Sequence, residues 1–301
     1  MKYLVTGGCG FIGSNIVKHL LSLGHAVVVI DNLSSDAHDE FYYEEGATYY
    51  QYNVTDYIMC SDVFKRHNFD AVFHLAAEAR IQNCIEDPTL AFDTNFMGTA
   101  TMLALCKKHK VKRLVLSSTS AIYGLKNSGL LNETMSPDCL NAYSLSKYQA
   151  EALCKMYSEM YGVDTVCLRY FNVYGPRQPK KGPYAPVIGI FSRQLKSKEP
   201  LTIIGDGEQT RDYVHVDDIV KANVMAATHE TALNGEIFNV GTGNQYSVNQ
   251  IARRLSSSLK YLPARKGEAR HTQADITKIK NYFGWKPSIQ LLEWLDVNVV
   301  G

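Results

Sequence analysis

Lys2-Tyr-Leu-Val-Thr-Gly-Gly-Cys-Gly-Phe-Ile-Gly13 is the stretch whose reading decides the fold. Apolar residues 3 to 5 make a short buried strand, the glycines make a turn, and residues 12 to 23 carry a helical apolar pattern that stops at Gly24. In that order, Gly8-x-Gly10-x-x-Gly13 has a physical use: the glycines permit a tight turn and let a pyrophosphate approach the backbone at a helix N-terminus. A second apolar strand, 26 to 30, ends in Asp31, eighteen residues past Gly13. A carboxylate there accepts from adenosine ribose hydroxyls and repels a 2′-phosphate. Asn32 and Leu33 bring no cation, so NAD is expected over NADP. The competing role for Asp31 is to cap a turn.

Working outward, strands are expected near 48 to 52, 71 to 75 and 113 to 116, with helices near 57 to 67 and 88 to 109. This alternation implies an α/β fold, a Rossmann-type doubly wound parallel sheet whose ligands bind beyond the carboxyl ends of the strands. The polar or small breaks fall there: Asn53, Leu75-Ala76-Ala77 and Ser117-Ser118-Thr119. Asn95, inside an otherwise apolar helix, either orients a strand-end loop or satisfies a local amide. Beyond 172 a region rich in Pro, Gly and Lys leads to a helix near 187 to 196 and a strand at 201 to 204. The expected organisation is a nucleotide-binding domain, 1–172 with a return segment of about 212–240, and a smaller α/β lobe formed by about 173–211 and 241–301.

The bulk properties narrow the class. The chain has 301 residues, is 46% hydrophobic and carries a formal net charge of +1 with scattered basic residues. Neither nucleic acid nor an anionic membrane is expected as a partner. There is no long apolar run and no signal-like N-terminus, so a cytosolic location is expected. Seven cysteines without a Cys-x-x-Cys read as reduced buried thiols, and the nine histidines form no close ligand pair, so no metal is expected.

Candidate chemistry begins where the fifth strand runs into Ser117-Ser-Thr-Ser-Ala-Ile-Tyr-Gly124. Hydroxyls there either form a turn or hydrogen-bond a substrate oxygen without adding charge. Downstream, Asn141-Ala-Tyr-Ser-Leu-Ser-Lys147 starts a helix and sets Tyr143 and Lys147 four apart, on one face. A tyrosine with pKa near ~10 is a poor base unless a cation favours its anion, and Lys147 stands in that position. Tyr282 and Lys286 repeat the spacing but are interrupted by Gly284.

Taken together, Thr6-Gly-x-x-Gly-Phe-Ile-Gly13, Asp31-Asn32, His74-Leu-Ala-Ala77, Ser117-Ser-Thr119, Tyr143-x-x-x-Lys147, Leu168-Arg-Tyr-Phe-Asn-Val-Tyr-Gly175, Gly205-Asp-Gly207 and Arg211-Asp-Tyr-Val-His-Val-Asp-Asp218 resemble the extended short-chain dehydrogenase/reductase family, in its nucleotide-sugar 4-epimerase branch. The resemblance implies NAD contacts from Gly7, Gly10, Phe11, Ile12, Gly13, Asp31, Asn32, Asn53, Val54, Leu75, Ala76, Ala77, Asn95, Ser117, Tyr143, Lys147 and Phe171. It implies a catalytic set of Thr119, Tyr143 and Lys147. A UDP-sugar is expected to meet Ser118, Thr119, Tyr143, Asn172, Val187, Thr202, Arg211, Arg265, Glu268 and Thr272. Guanidinium groups suit a diphosphate because they bind its oxygens by forked hydrogen bonds. A structural ion pair with Asp212 is the other use open to Arg211. Asn53 departs from the acidic residue usual beside the adenine, and the family implies a homodimer.

Neighbouring families share the scaffold, so the reaction has to be read from the site. Thr119 is followed by Ser120 and Ala121, where 4,6-dehydratases resemble one another in Asp-Glu and decarboxylases in a glutamate at the second position. Without that acid, epimerisation is expected ahead of reduction, decarboxylation or dehydration. A non-catalytic NAD sensor would be marked by loss of Tyr143, Lys147 or the hydroxyl, and all three are present.

Overall fold

The computed structural model of the chain describes residues 1–35, 40–180, 185–264 and 269–300. Seven strands, β1 (Lys2–Thr6), β2 (Ala26–Ile30), β3 (Thr48–Tyr50), β4 (Ala71–His74), β5 (Arg113–Thr119), β6 (Asp164–Tyr170) and β7 (Glu236–Val240), form one parallel sheet in the order β7-β6-β5-β4-β1-β2-β3. The direction of winding changes between β1 and β4. That is where a doubly wound sheet opens a crevice at its carboxyl edge.

The helices in chain order are α1 (Phe11–Ser22), α2 (Tyr57–Arg66), α3 (Ile81–Glu86), α4 (Pro88–Ala91), α5 (Gly98–His109), α6 (Ala142–Tyr161), α7 (Val187–Lys196), α8 (Val216–Thr228), α9 (Val248–Leu255), α10 (Thr277–Phe283) and α11 (Leu291–Leu295). Alternate residues of each strand face opposite layers, so both faces are apolar. Tyr3, Val5, Val27 and Val29 join Ile16 and Leu20 of α1 and Ile219 and Ala226 of α8 in one core. Leu4, Val28 and Ile30 join Cys60, Val63 and Phe64 of α2, Leu103 and Cys106 of α5 and Ala150 and Cys154 of α6 in the other. A third core lies off the sheet, where Tyr174, Ile188, Phe191, Leu201, Ile203, Ile251, Leu255 and Leu291 meet.

The structure departs from the sequence expectation in four places. The fifth strand runs on to Thr119 because its ladder with β6 continues through Ser117↔Leu168, Ser118↔Arg169 and Thr119↔Tyr170. The third stops at Tyr50. The helix expected over 88 to 109 opens into a π-helical turn at Phe92–Met97, with Asn95 inside it. The C-terminal region does not lie wholly in the lobe: Ile279 and Trp285 pack into the first core, and the Trp285 indole donates to the Asp218 carbonyl at 3.0 Å.

Candidate active site

The glycine turn leaves no room for side chains. Gly7 has φ +68°, and a Cβ on it would lie 2.7 Å from the Ala76 nitrogen. One on Gly13 would lie 2.1 Å from the Gly7 carbonyl oxygen. The turn therefore presents bare backbone at the start of α1, beside the β1/β4 crevice, which fits a dinucleotide pyrophosphate. Phe11 and Ile12 continue it half-buried. Asp31, at the end of β2, accepts from the Cys9 and Leu33 N–H groups, both at 2.9 Å. A carboxylate has about four lone-pair sites, so capping this turn leaves capacity for ribose hydroxyls. Both roles weighed for Asp31 are compatible. Asn32 turns back on Ser34, Asn53 is exposed and accepts from Thr55, and Val54 is buried against Gly98. The Leu75 and Ala76 N–H groups both donate to Thr6 Oγ1 at 3.2 Å, which holds the half-buried 75–77 segment against the turn.

The reacting face is built where α6 starts against the end of β5. Asn141 and Ser144 close a reciprocal capping box, which fixes the first turn of α6. Tyr143 lies near Thr119, whose hydroxyl favours the phenol's charged form and whose Oγ1 accepts from Ala121 N–H at 3.1 Å. Lys147 is 3% exposed and donates from Nζ to the Ser117 carbonyl at 2.9 Å. Burial pushes the Lys147 ammonium down to about 8, with Cys154, Glu151, Cys167 and Cys84 opposing that fall. For Tyr143 the structure corrects the sequence argument. Its phenol is raised by burial, the Thr119 hydroxyl lowers it, and Cys84 and Glu78 raise it further. Lys147 directs one of its three ammonium protons at the Ser117 carbonyl and is not among the groups that shift the phenol, so burial dominates there.

Other expected residues fall in informative places. Ser118 Oγ donates to Glu151 at 2.5 Å, buried, so its proton is committed to the protein and is not offered to a ligand. Asn95 is 1% exposed and spends its amide on the Glu78 N–H (2.9 Å), the Glu78 carbonyl (3.0 Å) and Ser146 Oγ (3.0 Å). It orients the strand-end loop, the first of its two readings, and its N–H groups are not left for a cofactor. Phe171 is 4% exposed in a small cluster with Tyr123, Leu131 and Ala274. Asn172 and Arg211 are brought together because residues 172–174 pair in parallel with 213–215, and Asn172 donates to the Asp212 carbonyl. Arg211 donates to the Thr210 carbonyl at 2.9 Å, whereas Asp212 accepts from Thr242, Gly243 and Ala274. Asp212 is thus a loop organiser, and no ion pair between it and Arg211 appears among the described residues. Thr272 N–H donates to the Thr210 carbonyl at 3.2 Å, and its buried Oγ1 has no partner. Val187 opens α7, and Thr202 is tied to that helix by Gln194. Arg265 and Glu268 lie outside the described residues.

Three participants were not anticipated. His74 bridges Thr6 Oγ1 (2.7 Å) and Thr99 Oγ1 (3.1 Å), fully buried and held neutral with its imidazole lowered to about 3 by burial. Glu78 affects Tyr143 from the loop after β4. Glu151 lies one turn beyond Lys147 on α6. Glu151 left a readable signal in the spacing Tyr143, Lys147, Glu151, and His74 stands in the motif His74-Leu-Ala-Ala77, whereas Glu78 left none.

A glycine turn opening a parallel sheet at its switch point, with Tyr, Lys and Thr converging at the end of β5, defines a dinucleotide-dependent enzyme fold of the short-chain dehydrogenase/reductase type. Residues 3–241 match the NAD dependent epimerase/dehydratase family. The chain is 38% identical to UDP-glucose 4-epimerase of Thermotoga maritima, solved with UDP-glucose, with a TM-score of 0.93 over 99% of this chain and 97% of that one. It is 35% identical to a UDP-glucuronate 4-epimerase of Thermodesulfobacterium geofontis, covering 99% of this chain and 94% of the relative. It is 33% identical to UDP-N-acetylglucosamine 4-epimerase of Methanobrevibacter ruminantium, solved with UDP-N-acetylmuramic acid, with a TM-score of 0.90 over 99% and 96%. The chain belongs to the NAD dependent epimerase/dehydratase family, and its cofactor is NAD. No helix among the described residues is long and apolar enough to cross a membrane.

Proposed function

We propose that this protein is a cytosolic UDP-sugar 4-epimerase that interconverts UDP-hexoses or UDP-N-acetylhexosamines through a 4-keto sugar. The observation that carries this reading is the meeting of Tyr143 with Thr119, followed on the 3-10 turn by Ser120 and Ala121 in place of an acid. NAD, when bound, would supply the hydride acceptor and donor and a positive charge. Tyr143 takes the proton of the sugar 4-hydroxyl and returns it on the other face. Thr119 holds the same oxygen by a hydrogen bond that adds no charge. Lys147, anchored on the Ser117 carbonyl, keeps a positive charge on this helix face. Bringing a phenol from ~10 to near neutrality takes about 4 kcal/mol. Burial works against that, so the phenolate would need a neighbouring positive charge to favour it.

Arg211 and Asn172, with Arg265, grip the diphosphate, Glu268 the ribose, and Val187 and Thr202 flank the uracil. Thr272 sits beside the C2 substituent, where a small side chain leaves room for an acetamido group. The protein acts as a homodimer: α3, α4, the π turn and α6 pack on one another and expose Ile85, Leu90, Met97, Leu145, Met160 and Tyr161. The test is incubation without added NAD with UDP-glucose, UDP-galactose, their N-acetyl forms and UDP-glucuronate, with products read by NMR. Interconversion at C4 of neutral sugars is expected. A requirement for stoichiometric NADH or NADPH would make it a reductase, and no turnover at all a sensor.

A further inference from the structure

The end of β5 is held by α6 one residue at a time. Thr119 meets Tyr143, the Ser117 carbonyl accepts from Lys147, and Ser118 Oγ donates to Glu151 at 2.5 Å. Tyr143, Lys147 and Glu151 follow one another at four-residue steps, so three helix residues on one stripe take three consecutive strand residues. Glu151 is 2% exposed, and Arg169 of β6 pairs with it through Nε (2.9 Å) and Nη2 (2.7 Å). The Arg169 guanidinium lies 4.9 Å over the Tyr123 ring, and the Tyr123 hydroxyl donates to Asn239 of β7. The grip on β5 is therefore tied through Arg169 and Tyr123 to the two strands beyond it.

We infer that Glu151 is a positioning residue for the reaction, holding Ser118 so that Thr119 and the Ser117 carbonyl keep their places under Tyr143 and Lys147, and giving Lys147 a fixed anionic neighbour. This rests on the epimerase reading for its kinetic consequence but not for its electrostatic one. A carboxylate one turn away favours the ammonium, while burial disfavours it. The titratable groups that act on Lys147 are Cys154 and Glu151 of its own helix, Cys167 of β6 and Cys84 of α3, with the neutral His74 of β4 also beside it. Of these, Glu151 is the carboxylate. Arg169 anchors it by a bidentate guanidinium pair through Nε and Nη2.

Two variants separate the two duties. Ser118→Ala removes the hydrogen bond to β5 and leaves the buried ion pair intact. It is expected to lower kcat about tenfold, with KM for the sugar and the Lys147 titration unchanged. Glu151→Gln retains a side chain of the same shape and removes the charge, leaving Arg169 as an unbalanced cation in the same network. Its Lys147 titration, read by NMR of 15N-lysine-labelled protein with NAD, is expected to fall by about one pH unit, and the alkaline limb of kcat with it. If Glu151→Gln does not fold, Arg169→Gln, which removes the cation and leaves the carboxylate in place, is expected to move the titration the opposite way. Wild-type kcat in Ser118→Ala, or an unmoved Lys147 titration in the folded charge variant, would overturn the inference. Should wild-type protein turn over no UDP-sugar, the epimerase reading falls while the titration still decides the role of Glu151.

Discussion

The sheet and the region around the third core are held together in different ways. The sheet's seven strands form continuous parallel ladders packed between two cores, and its ends are tied by buried charges such as Arg113, which is 1% exposed. That region is assembled around the third core from two-stranded pairings, two of them only two residues long, with exposed ion pairs such as Arg270 with Asp206 at its surface. The first construction fixes Thr119, Tyr143 and Lys147 and tolerates little change. The second holds Arg211 and Thr272 through contacts to backbone carbonyls, such as Thr272 N–H to the Thr210 carbonyl, that many side chains could accommodate. Related proteins acting on differently substituted sugars are what such a division allows.

The comparison sharpens most at Tyr143. Tyr143→Phe is expected to cut kcat by about 10³- to 10⁴-fold, some 4–5.5 kcal/mol, with NAD content and UDP-sugar affinity retained. Residual activity within tenfold of wild type, measured on folded protein, would remove the phenol from the proton transfer. Next in size is the frame itself. Arg113 pairs with Asp164 and donates to the Ala226, His229 and Thr231 carbonyls, so Arg113→Ala leaves the half-buried Asp164 carboxylate without its cation and three carbonyls without a donor. It should lose about 3–4 kcal/mol in urea unfolding.

In the second region, Thr272→Tyr is expected to depress N-acetylhexosamine turnover by ~10- to 100-fold more than hexose turnover, as filling a pocket discriminates by about 1–3 kcal/mol. Equal loss of both would show that the C2 pocket lies elsewhere. Asp31→Asn should narrow the preference for NAD over NADP by about tenfold, by removing the charge that opposes a 2′-phosphate. Cofactor extracted from wild-type protein and identified as NADP would sink that assignment. The smallest effect belongs to Asp206→Ala. Its ion pair is exposed, so the unfolding midpoint should not move measurably, and a clear fall would mean that region depends on surface charge more than its packing suggests.

What the sequence determined by itself was local in kind. Glycines at the first turn, a carboxylate at the end of β2, and Tyr143 four residues before Lys147 are read from spacing, because turns, strand alternation and helix faces are set by neighbours along the chain. The tertiary structure alone decided how those residues are used. Ser118 looked like a substrate contact until β5 ran on beside β6 and turned its hydroxyl towards Glu151. Asn95 looked like a cofactor contact until the π turn aimed its amide at Glu78 and Ser146. The phenol of Tyr143 looked lowered by Lys147, and burial raises it instead. Each of these outcomes depends on desolvation or on hydrogen bonds between residues 17 to 51 positions apart in the chain, and spacing along a sequence carries no information about either.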